Sequence, residues 1–426
     1  MHSEFLRSVF TLISGTAIAQ AIPILISPIL TRLYSPNDFG VWAIYISIVA
    51  IFGVIISLRY EMAIILPKEE KDAVNVLALS ILISIFISFI SLIFIIFFKN
   101  IIFKLIGNTS LGNWLYLVPP TLFFTGLYQS FNYYSTRQKT FRKNASARIA
   151  QSAVASGINL GAKLGYLTQT LKLGAGGLIS GSFLGLITAS LILALKTIKN
   201  FGSFARQISK TSLKGNLIRY KNFARINSPH AFIDSFQDNG IILIITYYFS
   251  SYILGFYSFA FRILKAPVGL IGNAMYQVFY QKAASSMNEN KDLRPLLLRI
   301  YRNLFLGGLP LFLILFLFAP DIFAFIFSEK WRTAGEIASI ITPWLFINFI
   351  ISPVSCIPLI VNRQFGAMLF TITDICLRII ALVTGAYLND YKLSFTLMSI
   401  SCSLLLIYAM YWYYKIAGKV NAKVYQ

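Results

Sequence analysis

The sequence predicts an all-α polytopic membrane protein: about twelve transmembrane helices in two six-helix lobes, related by a pseudo-two-fold axis along the membrane normal. Three observations carry this. The 426-residue chain is 57% hydrophobic and 12% charged, with a mean hydropathy of +0.71, more apolar surface than a soluble fold of this length buries. Apolar runs of about 20 residues, the length that crosses ~30 Å of hydrocarbon, recur along nearly the whole chain. A polar, basic stretch, Lys196–Asn227, lies at the midpoint and divides those runs evenly.

The runs are 9–30, 39–60, 76–98, 114–134, 148–167, 174–195, 229–249, 252–279, 303–327, 336–360, 367–388 and 394–414. The first follows Arg7 and contains Ala17-Ile18-Ala19, similar to a signal-peptidase site. It continues through Pro28 to Leu30, so it is expected to stay as helix one. Pro23, Pro28, Pro267, Pro310, Pro343 and Pro353 are expected to interrupt their spans. The lobes are then residues 1–200 and 227–426, joined by a basic cytoplasmic linker, 201–226. Six spans per lobe means parallel repeats. A faint echo between Asp38-Phe39-Gly40, opening span two, and Leu254-Gly255-Phe256, opening span eight, agrees.

Basic residues sit in alternate loops. One set runs from Arg137 to Arg148, from Lys196 to Arg225, from Lys282 to Arg302, and through Lys415, Lys419 and Lys423. The opposite loops carry only Arg32, Lys99, Lys104, Lys172, Lys330, Arg332 and Lys392. The positive-inside rule then places both termini in the cytoplasm. The net charge of +22 is thus a topology signal and an attraction to anionic lipids, not a nucleic-acid site.

Soluble chemistry is missing. There is no phosphate loop, dinucleotide fingerprint or metal-ligand cluster, and the histidines are His2 and His230. No enzyme activity, cofactor or metal is expected. Cys356, Cys376 and Cys402 fall in apolar spans without zinc or redox spacing and read as buried packing residues.

Charge inside the spans is the remaining signal, because each such group costs roughly 2.5 to 3.5 kcal/mol at the bilayer centre. His230, Asp234 and Asp238 recur every four residues and share a helix face. Arg262 and Lys265 lie one turn apart ahead of Pro267, too deep to snorkel easily. They form either a structural network with Asp234 and Asp238 or a cationic recess for an anionic headgroup, the carboxylates balancing charge or carrying a proton. Arg59 and Glu61 read as an interfacial pair or as cavity lining. Lys163 reads as snorkelling, and Asp374 with Arg378, four apart, as a structural ion pair in preference to a ligand contact. Trp42, Tyr45, Tyr247, Tyr248, Tyr252 and Tyr257 read mostly as an interfacial belt, with stacking on sugar as the alternative.

Several stretches resemble a known family. Gly15-Thr16-Ala17-Ile18-Ala19-Gln20, Pro28-Ile29-Leu30-Thr31-Arg32-Leu33-Tyr34-Ser35-Pro36-Asn37-Asp38-Phe39-Gly40 and Arg59-Tyr60-Glu61-Met62-Ala63-Ile64-Ile65-Leu66-Pro67 resemble polysaccharide biosynthesis proteins of the oligosaccharide-flippase type. So do Tyr257-Ser258-Phe259-Ala260-Phe261-Arg262-Ile263-Leu264, Pro267 and Leu270-Ile271-Gly272-Asn273-Ala274. The resemblance implies the multidrug/oligosaccharidyl-lipid/polysaccharide exporter superfamily, with a central cavity lined by helices one, two, seven and eight. It implies movement of a polyprenyl-diphosphate-linked glycan, an O-antigen or capsule repeat unit of lipopolysaccharide or polysaccharide biosynthesis, from the cytoplasmic to the periplasmic leaflet of a bacterial inner membrane. Other membrane proteins of polysaccharide assembly are implied partners.

It also places Arg32, Arg59, Arg262, Lys265 and the Asp234/Asp238 face at or near the cavity, but it maps no ion site; His230, an interfacial residue or a switch near neutral pH, and Glu61 are further candidates for coupling or charge balance. Three other readings stay open, one of them a non-transporting scaffold. A multidrug or cation antiporter of the same superfamily favours an acidic or apolar pocket, and a periplasmic O-antigen polymerase or ligase needs large outer loops.

Overall fold

A computed structural model describes residues 2–164, 174–199, 201–288, 292–361 and 363–418. Among them there is helix and no strand. Contacts divide the chain into two compact units, Met1–Gly255 and Phe256–Gln426, one helix later than the basic linker.

The first unit holds α1 (His2–Leu33), α2 (Pro36–Gly53), α3 (Tyr60–Ala63), α4 (Glu70–Ile106), α5 (Val118–Arg137), α6 (Phe141–Leu164) and α7 (Gly176–Lys199). Two short linker helices follow, α8 (Phe201–Ala205) and α9 (Lys210–Arg219), then a π-turn, Phe223–Asn227, and α10 (Ser228–Tyr248). α11 (Ser251–Asn288) begins in this unit and continues in the second. The second adds α12 (Arg294–Phe327), α13 (Arg332–Ile351), α14 (Ile357–Ile360), α15 (Gln364–Tyr387) and α16 (Tyr391–Ala417).

Among the described residues nine helices are long and apolar enough to cross a membrane. Helices α5 and α6 are long enough but more polar, and in α10 the apolar part is the shorter Asn239–Tyr248. Apolar surface faces outward, as a lipid solvent requires: Phe97 on α4 is 76% exposed and Phe325 on α12 is 88% exposed.

The sequence explains where helices start. Ser35 caps α2 with a reciprocal box: its hydroxyl accepts from the Asp38 N–H at 3.2 Å, and Asp38 accepts from the Ser35 N–H at 2.9 Å. Pro36 fills the first turn, where no N–H is needed.

Two expectations need correction, and one holds. Span 39–60 is not one helix. α2 ends at Gly53, and the chain turns through Leu58 and Arg59, both left-handed at φ +48° and +62°. Span 336–360 breaks after Ile351, where Ser352-Pro353-Val354 tightens into a 3-10 turn, the interruption expected of Pro353. Pro23, Pro28, Pro267, Pro310 and Pro343, by contrast, lie inside uninterrupted helices.

Neighbouring hydroxyls explain part of that tolerance. Pro23 frees the Ala19 carbonyl, and Ser152 of α6 donates to it at 2.6 Å. Pro320 frees the Phe316 carbonyl, and Ser339 of α13 donates to that one.

α2 runs alongside α10 in the first unit. Ser47 donates to the Asn239 carbonyl at 2.6 Å, and Ser235 donates back to the Ala50 carbonyl at 3.0 Å. At the other end Gly40 meets the first turn of α11. A Cβ on Gly40 would overlap the Ser251 carbonyl oxygen, and one on Gly255 would overlap that of Pro36. The two glycines the sequence echo aligns are the two that allow this reciprocal approach.

Candidate functional site

In the second unit the chemistry collects on α11. Tyr257, Phe261 and Lys265 recur every four residues and share a face. The Lys265 ammonium sits 5.0 Å from the Phe261 ring centroid, a cation–π contact that orients a charge without neutralising it. Phe261 stacks on Tyr257 at 5.8 Å, and Tyr257 stacks on Phe395 of α16 at 5.0 Å. Phe261 also stacks on Trp344 of α13 at 5.8 Å, and the Arg378 guanidinium lies 4.8 Å from the Trp344 centroid. Lys265 and Arg378 are thus the ends of one aromatic ladder.

Arg378 and Asp374 of α15 pair at 2.5 Å on their own helix. Arg378 Nε and Trp344 Nε1 are buried with no hydrogen-bond acceptor among the described residues. Buried donors left so are costly, so this end of the ladder is polar and undersatisfied. Arg262, one residue beyond the ladder face, keeps accessible surface although protein atoms crowd around it.

In the first unit the break between α2 and α3 makes a second charged centre. Glu61 is fully buried and accepts a short hydrogen bond from Ser57. Arg59 Nη1 stands 3.6 Å from Glu61 Oε1, too long for a hydrogen bond but close enough to balance charge. Arg59 Nε and Glu61 Oε1 have no hydrogen-bond partner among the described residues. On α5, Gln129 donates to the Gly53 carbonyl at 3.2 Å, and Tyr133 lies within electrostatic reach of Arg59 and Glu61. The left-handed turn at Arg59 puts a cation and a carboxylate two residues apart side by side, which no regular helix does.

Other expected residues fall elsewhere. His230 Nδ1 and Asp234 Oδ2 pair at 3.0 Å on α10, and both side chains are mostly exposed. The Asp238 side chain lies outside the described residues. Arg32 is exposed in the last turn of α1, with Nη1 donating to the Pro28 carbonyl at 3.3 Å; a cation suits that helix end. The Lys163 ammonium lies over the Tyr34 ring at 5.1 Å.

Two readings of residue class are corrected. Tyr45 and Tyr257 are buried core rather than interfacial belt, Tyr45 sharing a hydrogen bond with Thr121. Cys376 is exposed rather than packed, while Cys356 and Cys402 are buried. In both cases the side of the helix decides, and hydropathy does not report it. Sequence reasoning missed Phe261, Trp344, Phe395, Ser57 and Tyr133. Only the Tyr257, Phe261, Lys265 spacing was there to be read.

A family model described as polysaccharide biosynthesis protein matches residues 29–336. No relative among curated proteins matches the chain. An inward-facing multidrug-resistance MATE family transporter of the MOP superfamily has a TM-score of 0.68 at 14% identity, covering 96% of both chains. The lipid II flippase MurJ, in an inward closed conformation, has a TM-score of 0.62 at 15% identity, covering 93% of this chain and 89% of its own. The outward-facing conformation of a MATE family transporter has a TM-score of 0.57 at 13% identity, covering 97% and 96%. Identities this low establish the fold alone. With the family model spanning most of its length, the chain belongs to the polysaccharide biosynthesis protein family and has the fold of MOP-superfamily transporters.

Proposed function

We propose that this protein is a flippase that moves a polyprenyl-diphosphate-linked oligosaccharide, an O-antigen or capsule repeat unit, from the cytoplasmic to the periplasmic leaflet of the inner membrane. The observation that carries the reading is a pair of accessible cations, Arg262 and Lys265, inside the apolar helix α11 of a polysaccharide biosynthesis family member. A diphosphate and its sugars cannot enter hydrocarbon, so they need a polar recess while the polyprenyl chain stays in lipid. Arginine offers planar paired donors to phosphate and lysine a compact charge. Phe261 holds the lysine, and aromatic faces and amides are suited to sugar. Access alternates between leaflets without covalent chemistry. Arg59 and Arg32 supply further positive charge. Glu61, Asp234, Asp238 and His230 balance it or carry the coupling proton or ion.

Arg262→Ala is expected to reduce surface polysaccharide while the protein still inserts, and to leave lipid-linked glycan accumulating on the cytoplasmic side. Arg262→Lys keeps part of the export, because charge survives without the planar donors. Wild-type surface glycan in the alanine variant would overturn the recess. Purified protein that binds cationic dyes and ignores lipid-linked glycan would assign it to cation export instead.

A further inference from the structure

We propose that the exposed face of α9 and its π-turn is a docking strip for an anionic lipid surface, and that it positions the Arg59–Glu61 bend. Between residues 196 and 227 every charged side chain is basic. Lys210, Lys214, Leu217, Ile218, Lys221 and Arg225 are all exposed. On α9 the first four fall on one side, at spacings of four, three and one. Leu217 is 43% and Ile218 56% exposed, set between cations. Apolar residues flanked by lysines on one open face suit the boundary between headgroups and acyl chains.

The opposite face is fixed to the protein. Tyr220 packs in the core with Val76 and Leu77 of α4, with Leu213 against it. Asn75, fully buried, donates to the Gln207 carbonyl at 2.9 Å and accepts from the Ser209 N–H at 3.0 Å. Ser209 in turn caps α9. Nearby acids do not cancel the strip: Glu70 is held by Arg137, Tyr134 and Gln138, which leaves Glu69 and Asp72 at the start of α4.

The strip also reaches the charged centre. The Tyr60 hydroxyl donates to the Leu217 carbonyl at 2.8 Å, and Tyr60 stands between Arg59 and Glu61. A lipid surface that holds α9 therefore holds the left-handed bend through one hydrogen bond. Tyr60 is a positioning residue in this scheme. That second half rests on the transport reading above; the docking half does not.

The test uses the full chain with Cys356, Cys376 and Cys402 changed to alanine and Ile218→Cys carrying a polarity-sensitive fluorophore. It is reconstituted in phosphatidylcholine vesicles with or without phosphatidylglycerol. The anionic lipid is expected to shift emission to the blue, and high salt to weaken the shift. Lys210→Gln, Lys214→Gln and Lys221→Gln together are expected to move the docked-to-free ratio on the order of a hundredfold. Equal emission in both vesicle types overturns the strip.

Tyr60→Phe is expected to keep the blue shift and lower transport of lipid-linked glycan. Unchanged transport with an intact shift overturns the coupling. A wild-type protein that docks but moves no glycan counts against the transport reading and leaves the strip standing.

Discussion

Arg59 shows how a single backbone angle makes chemistry that helix spacing forbids. At φ +62° a non-glycine residue costs roughly 1–2 kcal/mol, and here that strain sets a guanidinium beside the buried Glu61 carboxylate. Arg59→Gly is expected to leave thermal stability within about 1 kcal/mol of wild type, since relieved strain offsets lost pairing. Transport should nevertheless fall; a glycine variant exporting polysaccharide normally would show that the cation is dispensable. Phe261→Leu is a second case. Removing the ring frees Lys265 and breaks the ladder toward Trp344, so glycan affinity should drop while insertion persists, read by binding to purified protein. The residue types at these positions were legible in sequence. Their partners were not, because Trp344 and Phe395 come from helices far along the chain.

Proline marks the element scale. The six singled-out prolines read as interruptions, yet five stay within continuous helices, and at Pro23 the carbonyl left without its N–H finds another donor. Ser152 supplies one to Ala19 across 133 residues, a relation no local pattern encodes. Ser152→Ala is expected to destabilise by about 1–3 kcal/mol. The loss should shrink in a Pro23→Ala background, where the helix satisfies its own carbonyl; additive losses in a double-mutant cycle would exclude this account.

Gly40 and Gly255 set a stricter limit. Any side chain there meets a backbone oxygen, which cannot rotate away. Gly255→Ala should therefore cost more than the ~1–3 kcal/mol of ordinary overpacking and lower the yield of folded protein. A fully stable, active alanine variant would mean that the α2–α11 approach is easily parted. The echo between the two glycines was visible in sequence, but its meaning as a contact was not.

For the whole molecule, the charge asymmetry between alternate loops predicts that both termini are cytoplasmic. A green fluorescent protein fused after Gln426 should fluoresce and alkaline phosphatase fused there should be inactive; the reverse outcome would invert the topology and the proposed direction of transport. The sequence by itself determined the class, the approximate places of the long helices, the orientation signal and the family, because each depends on local hydropathy, charge or short motifs. The tertiary structure decided which side of each helix faces lipid, which breaks are real, and which charges meet. Those outcomes depend on contacts between residues far apart in the chain, and burial, hydrogen-bond rescue and ion pairing belong to the packed arrangement rather than to any one segment.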